Sequence, residues 1–309
     1  SGQIGRHLIR RLTNKNYLVT VVTRNLHKKG TVLRLGGNPG YIEIIEANIF
    51  NQDKLNDLFK DKDICINLVG IISENKKNKF KNIHTYFPTI LSKKCEQFKL
   101  KQFIHISALG IDKAIDSKYA KSKLEGEKNI LENFSKTTIL RPSVVYSVDD
   151  NFTTNLMTLL SRMPIMPLYY NGNTKFTPIH VTDLAEIIFE VVQKKIVGET
   201  IECIGPEVLT FKDIILKILK SIKKKRILIP VPLFFAKVLA KILQLMPKPL
   251  LTMDQLNLLK YDNVVSGKFK TNFDLNINSK KKFQDEIENY SFNWTSGGQF
   301  SKKKKYKNI

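Results

Sequence analysis

Cysteine is scarce in this sequence. Cys65, Cys95 and Cys203 lie far apart in apolar stretches. They read as buried, reduced thiols, because a disulfide framework wants an even count at closer spacing and a zinc site wants paired Cys or His ligands. The five histidines, His7, His27, His84, His105 and His180, show no metal-ligand spacing either. Each reads as a satisfied strand or surface residue, and no metal is expected. Long apolar runs are also missing. Nothing approaches the roughly 18 consecutive apolar residues that a spanning helix needs, so no transmembrane helix is expected. The longest candidate, Ile227 to Met246, is interrupted by Lys237, Lys241 and two prolines. It reads as a core helix of a second lobe or, on its mix of apolar and basic positions, as an amphipathic helix against a membrane or partner. No serine sits in a G-x-S-x-G elbow. The paired carboxylates Asp149 with Asp150 and Glu125 with Glu127 lack the enclosing context of glycosidase acids. No signal peptide can be read, because the chain opens inside a motif.

Acidic residues are few. Lys and Arg number 51 against 28 Asp and Glu, a formal net charge of +23. Only eight of the 51 are arginine, and the lysines are scattered among many Asn and Ile residues. That is the composition expected of an AT-rich genome, and it points toward a bacterium. The same charge suits an acidic protein partner or an anionic membrane surface. No basic module with interleaved aromatics is present, so no nucleic acid is expected as a partner. With 42% hydrophobic and 26% charged residues the chain should fold, and 309 residues suit a large α/β unit with a smaller lobe.

The periodicity alternates between two kinds. Apolar positions at Ile4, Leu8, Ile9 and Leu12 recur at helical spacing. Strands are expected over Tyr17–Thr23, Tyr41–Ile45, Asp63–Ile72, Gln102–Ser107 and Thr137–Leu140, with helices over 52–59, 88–98 and 119–133. The Asp63–Ile72 run is almost continuously apolar, as in a strand buried on both faces. Strand and helix alternating this closely imply a parallel, doubly wound sheet. After Pro142 the pattern loosens into a helix at 151–161, a strand at 176–180, a helix at 182–194 with Thr182 or Asp183 near its N-cap, and a strand at 199–204. From Thr210 the chain reads as mostly helical. The expected organisation is a nucleotide-binding domain over 1–142, with 176–204 returning to it. A smaller lobe takes 143–175 and 205–300, and a solvated basic tail covers 301–309.

Three groups of residues carry possible chemistry. Gly2 and Gly5 open the first helix, where free backbone N–H groups and the helix dipole can hold a pyrophosphate. They fit the last two glycines of a G-x-x-G-x-x-G loop, whose first glycine and preceding strand are expected before residue 1. Arg24 ends the next strand, followed by Asn25, His27, Lys28 and Lys29. An acidic residue there bonds a ribose 2′-hydroxyl, whereas Arg accommodates a 2′-phosphate, so NADP(H) is expected over NAD(H). Tyr119 and Lys123 share one helical face a turn apart, and Ser107 ends a strand twelve residues earlier. A phenol beside an ammonium suits proton transfer, and the serine hydroxyl suits orientation of a carbonyl.

The segments SGQIGRHLIRRL, INLVGII, FIHISALGID, YAKSKLEGE, LRPSVVY and PIHVTDLAEII together resemble the atypical or extended short-chain dehydrogenase/reductase superfamily, over almost the whole chain. Within it the chain is most similar to the accessory alpha-subcomplex subunit 9 family of respiratory complex I, on INLVGII, ISALGID and the later LLTMDQLNLLKYDNVVS. The resemblance implies a Rossmann-type sheet with a mostly helical second lobe, and a bound NADPH in structural rather than catalytic service beside complex I. It places cofactor contacts on Gly2, Gln3, Ile4, Gly5, Arg24, Leu68, Val69, Gly70, Ser107, Tyr119, Lys123, Pro142, Ser143 and Val144. Two positions depart from the pattern: Asn48 stands where an Asp commonly faces the adenine, and Ser147 where a Gly often follows the sixth strand. The alternative is a free NAD(P)-dependent reductase or a sugar-nucleotide epimerase or dehydratase, which Tyr119 and Lys123 favour. A nucleotide sensor without chemistry is a third class. The resemblance leaves two locations open, a bacterial cytoplasm with peripheral attachment to the inner membrane, or the matrix side of the mitochondrial inner membrane.

Overall fold

The structure is a computed structural model that describes residues 2–244, 249 and 251–298. The expected basic tail and the end of the Ile227–Met246 stretch lie outside the described residues. In chain order the main elements of the first half are α1 (Gln3–Thr13), β1 (Val19–Thr23), α2 (Leu26–Arg34), β2 (Ile42–Glu46), α3 (Gln52–Phe59), β3 (Ile64–Asn67), α4 (Phe87–Gln97), β4 (Gln102–Ile106), α5 (Lys118–Asn133) and β5 (Thr137–Pro142). A π-helical segment, Lys81–Tyr86, leads into α4. There follow β6 (Val145–Tyr146), α6 (Thr153–Arg162), β7 (Ile165–Leu168), β8 (Lys175–Phe176), β9 (Ile179–His180), α7 (Val181–Gln193), β10 (Thr200–Cys203) and β11 (Leu209–Thr210). The remainder is α8 (Phe211–Ser221), β12 (Ile227–Pro230), α9 (Leu233–Leu243), α10 (Met253–Leu258), β13 (Lys270–Thr271) and α11 (Phe283–Tyr290).

The alternating pattern produces an α/β fold around a parallel sheet ordered β13-β10-β5-β4-β3. Every residue of β4 and β5 is buried, as continuous apolar runs require. Side chains alternate between two cores. Phe103 faces Leu55, Phe87, Leu91 and Ile130 from α3, α4 and α5, whereas Ile104 and Ile106 face Leu8 and Leu12 of α1 and Leu184 and Ile188 of α7. Each such side chain stabilises the fold by about 2 kcal/mol. β1 and β2 form a separate parallel pair, and among the described residues no strand bonds β1 to β3. Val19, Ile64 and Ile66 nevertheless share the α1–α7 core. The chain returns to the main sheet at β10, and once more at β13.

Several local expectations need correction. The apolar run from Asp63 is strand only as far as Asn67. There the Asn67 side chain accepts the Val69 N–H at 3.0 Å and turns the backbone out of the sheet, leaving Val69 and Gly70 exposed. The basic stretch after Arg24, to which the sequence pattern assigns no element, is helix α2, because Asn25 caps it through the Lys28 N–H. The N-cap of α7 is His180, not Thr182 or Asp183. The mostly helical C-terminal lobe contains a strand, β12, paired in parallel with β7. It takes the first residues of the stretch read as one core helix, and the helix that follows, α9, buries only Ala236 and Ala240. α6, α8 and α11 supply the core of this lobe, around Met157, Ile214, Ile218 and Ile287.

α5 crosses the π-helical segment at Gly126, where an added Cβ would fall on the His84 carbonyl. The overlap is with backbone, which cannot swing aside. We expect Gly126→Ala to cost about 3 kcal/mol or more in urea unfolding, whereas a normal alanine effect in a helix would stabilise by about 1 kcal/mol. A neutral or stabilising result would mean that α5 and this segment can move apart.

Candidate functional site

The first turn of α1 is arranged to receive an anion. Gly2 is its N-cap in extended conformation, no side chain caps the helix, and no acidic residue occupies the first turn. A Cβ on Gly2 would meet nothing within 4 Å, while Gly5 is buried with its Cβ position 3.6 Å from Leu68. Gly5 thus packs beside Leu68 at a distance that would admit a methyl in ordinary contact, and Gly2 leaves the amide end open. Val69 and Gly70, which follow Leu68, are exposed, and Ile4 packs into the core. Gln3 faces the other way, its side-chain oxygen 2.6 Å from the Ser147 hydroxyl. That hydroxyl also lies 2.9 Å from an Asp149 carboxylate oxygen, so its one proton serves two acceptors. Asp149 in turn pairs with Arg6. Where the family pattern often has glycine, Ser147 fastens the 147–150 loop to the first turn of α1.

Arg24 is exposed just after β1, with His27 and Lys28 also exposed. The amides of α2 nearby are already used, Leu26 N–H by the Glu46 carboxylate at 2.7 Å and Lys28 N–H by Asn25 at 2.8 Å. A phosphate at this end would therefore depend on the cationic side chains, with Glu46 opposing it. Asn48 is exposed and its side-chain oxygen accepts the Phe50 N–H at 3.1 Å, a local turn that competes with any adenine contact.

Ser107, Tyr119 and Lys123 come together at the end of β4. The Ser107 hydroxyl is buried without a hydrogen-bond partner among the described residues. Lys123 Nζ donates to the carbonyl of Ile106 at 3.2 Å, and lies 5.6 Å from the centre of the Tyr119 ring. Burial lowers the Lys123 ammonium to about 8, against a smaller upward pull from Glu127. The Tyr119 phenol is pushed above its ordinary range by burial and then by the charge of Asp254. An orphaned buried hydroxyl, an ammonium with one backbone acceptor, and an uncapped helix start across the β3 end fit a dinucleotide. In that arrangement Gly2 to Gly5 would hold the pyrophosphate, and Ser107, Tyr119 and Lys123 the nicotinamide end.

Two histidines frame this site, and sequence reasoning gave neither a role. His84 is buried in the π-helical segment, not on a strand or the surface. Its Nε2 accepts the Ile71 N–H at 3.1 Å, which leaves Nδ1 to donate to the Ser122 hydroxyl at 3.0 Å. Its ring meets Tyr119 edge to face at 5.2 Å. His84 so ties the Leu68–Ile71 loop to α5, and burial, helped by Lys123, lowers it to about 3 and keeps it neutral. His105 on β4 accepts from Asn67 Nδ2 at 3.0 Å, and its Nε2 is buried without a partner. Behind them Glu127 and Arg141 form a buried pair, 3.0 Å between Nε and Oε1, that fixes α5 to β5.

The block from Leu251 to Ser266 reaches the same helix from the far end of the sequence. Asp254 accepts from the Ser117 hydroxyl at 2.9 Å, the Lys118 N–H at 2.6 Å and the Tyr119 N–H at 3.1 Å. Asn263 accepts from the Ser143 hydroxyl at 2.5 Å and donates to the Leu109 carbonyl at 2.6 Å. The Ser143 side chain is therefore committed to this brace rather than turned to a ligand. Its neighbours are committed through their backbone, Pro142 by accepting from Leu109 and Val144 by accepting from Ile179. The motif block was visible in the sequence, but nothing local in it told which of its polar residues cross to α5.

Comparison with known proteins gives the family. The model of the NAD dependent epimerase/dehydratase family matches residues 1–203. The 40 kDa subunit of mitochondrial NADH-ubiquinone oxidoreductase from Neurospora crassa is 24% identical over 297 residues, covering 95% of this chain and 76% of that protein. The mitochondrial NADH dehydrogenase [ubiquinone] 1 alpha subcomplex subunit 9 of Arabidopsis thaliana is 24% identical over 86% of this chain and 69% of its own length. Among solved structures, UDP-glucuronic acid 4-epimerase from Bacillus cereus, in complex with UDP-glucuronic acid and NAD, superposes with TM-score 0.67 at 21% identity, covering 94% of this chain and 96% of that one. A nucleoside-diphosphate-sugar epimerase from Staphylococcus aureus gives 0.72 at 15% identity, over 93% and 97%. The structural matches establish the shared fold. The match over residues 1–203, with the parallel sheet and the glycine-opened helix, places this chain in the NAD dependent epimerase/dehydratase family.

Proposed function

We propose that this protein is a nucleotide-holding accessory or assembly subunit of respiratory complex I that takes NADP(H) in preference to NAD(H) and does not turn it over. One observation carries the reading. The Asp254 carboxylate sits at the N-terminus of α5 and, after burial, is the charge that raises the Tyr119 phenol. Proton transfer by a phenol needs the opposite shift. The site keeps the parts of a dehydrogenase but sets the Tyr119 proton against exchange. The relatives named above as complex I subunits support the same reading, and their mitochondrial location favours the matrix side over a bacterial cytoplasmic face. Partners would be complex I subunits and a membrane surface. The unpartnered Ser107 hydroxyl favours a second reading, a free NAD(P)-dependent reductase or a sugar-nucleotide epimerase or dehydratase.

Purification of the untagged protein from its source membranes separates the two. Co-migration with complex I supports the first, and a free soluble enzyme that oxidises NADPH with a carbonyl substrate overturns it. NADP(H) is expected as the nucleotide released on denaturation. Arg24→Ala should weaken NADPH about tenfold or more, the loss of a charge-assisted contact, and leave NADH unchanged. Recovery of NAD(H) alone defeats the 2′-phosphate argument.

The buried ammonium gives a pH test on the nucleotide-free protein. Lys123 titrates near 8 when folded against 10.5 ordinarily, so above pH 8 the unfolded chain binds the extra proton and stability rises with pH until about 10. Urea unfolding should show a gain of about 3 kcal/mol across that window, absent in Lys123→Met. An identical rise in the variant would show that the amine is not depressed.

A further inference from the structure

We infer that α9 and the basic segment before it form a docking surface for an anionic lipid bilayer. The helix turns its small side chains inward, with Ala236 and Ala240 packed near Tyr169, Leu251 and Leu256. Its large ones face out: Phe234 is 72% exposed, Phe235 62% and Ile242 59%. At about 100° per residue, Phe234, Val238, Ile242, Phe235 and Leu239 fan across the face opposite the alanines, and Lys237 and Lys241 stand together along one edge of it. From Ile227 to Leu243 every residue is apolar or lysine. A protein interface is held in register by directional hydrogen bonds around its rim, and this stretch offers no Ser, Thr, Asn, Gln or carboxylate to make them.

The charge complements a bilayer. From Ile214 to Met253 the sequence holds nine Lys and Arg and no Asp or Glu. Among the described residues none of these cations bonds a carboxylate except Lys217, which pairs with Glu207. Lys224 and Arg226 hold backbone carbonyls of Leu160 and Ser161, and Lys223, Lys225, Lys237 and Lys241 are exposed. A lipid headgroup layer supplies diffuse negative charge to long flexible lysines and an apolar boundary to the phenylalanines. The helix is about 16 Å long and no described helix is long and apolar enough to cross a membrane, so α9 would lie in the plane of the interface. None of this depends on the nucleotide site.

The whole chain should float with vesicles of phosphatidylglycerol and phosphatidylcholine in equal parts, and much less with phosphatidylcholine alone. Phe234→Ser with Phe235→Ser, both on the exposed face, should lower vesicle affinity about tenfold or more while leaving the melting temperature unchanged. Lys237→Gln and Lys241→Gln should each cost roughly fivefold at low salt. Phe234→Trp should show a blue shift in emission with the anionic vesicles. Absence of flotation, or flotation that the phenylalanine substitutions leave intact, overturns the inference. So does a dimer that ignores vesicles and dissociates in the double serine variant, which would make a second copy the occupant.

Discussion

The site depends on one ionic contact between distant parts of the chain. Asp254 takes both of the first backbone amides of α5 and the hydroxyl of its N-cap, Ser117. A carboxylate at a helix N-terminus is favoured by the unpaired amides and the dipole, so this contact fixes where α5 starts. Everything else on the helix follows by rotation from that point. Tyr119 falls in the first turn, Lys123 one turn on beneath Ile106, Gly126 against the His84 carbonyl, and Glu127 on Arg141. Burial raises the Tyr119 phenol, and the same charge that anchors the helix raises it further.

A second tie acts on the opposite wall. Ser147 and Asp149 hold Gln3 and Arg6, and His84 holds the loop that follows β3. The glycine turn is thereby tied to the 147–150 loop, and the loop after β3 to α5, through side chains. Helix α1 is placed by packing on α7 and by the polar contacts of Gln3 and Arg6.

Much of this was legible in the sequence. Parallel strands bury both faces and advertise themselves as apolar runs, so β4, β5 and β10 stood out, and a glycine pair opening a helical pattern stood out with them. Tyr119 and Lys123 were readable because they are neighbours on one helix. What escaped was whatever depends on a partner far along the chain. His84 gains its role from Ser122 and the Ile71 amide, and Asp254 from α5, at separations of more than a hundred residues in the second case. The end of β3 was missed because one Asn67 side chain outweighs the apolar residues after it. Helix α2 was missed because its lysines hide a capped start at Asn25. The exposure of α9 could not be read from hydrophobicity, since the same apolar residues would suit a core.

That last failure bears on how the two halves of the molecule work. In the sheet, apolar residues are inside because polar backbone is paired across strands and nothing else can cover them. In α9 the inward positions are alanines, which bury little area, while phenylalanine and isoleucine remain outside. A chain selected only for its own stability would reverse that assignment, since each exposed phenylalanine forgoes roughly 2 kcal/mol of burial. The arrangement is stable alone only because α8, α11 and the sheet supply the core. The outward face of α9 is therefore free to be shaped by an external apolar phase, and the run of cations without acids around it gives that phase its sign.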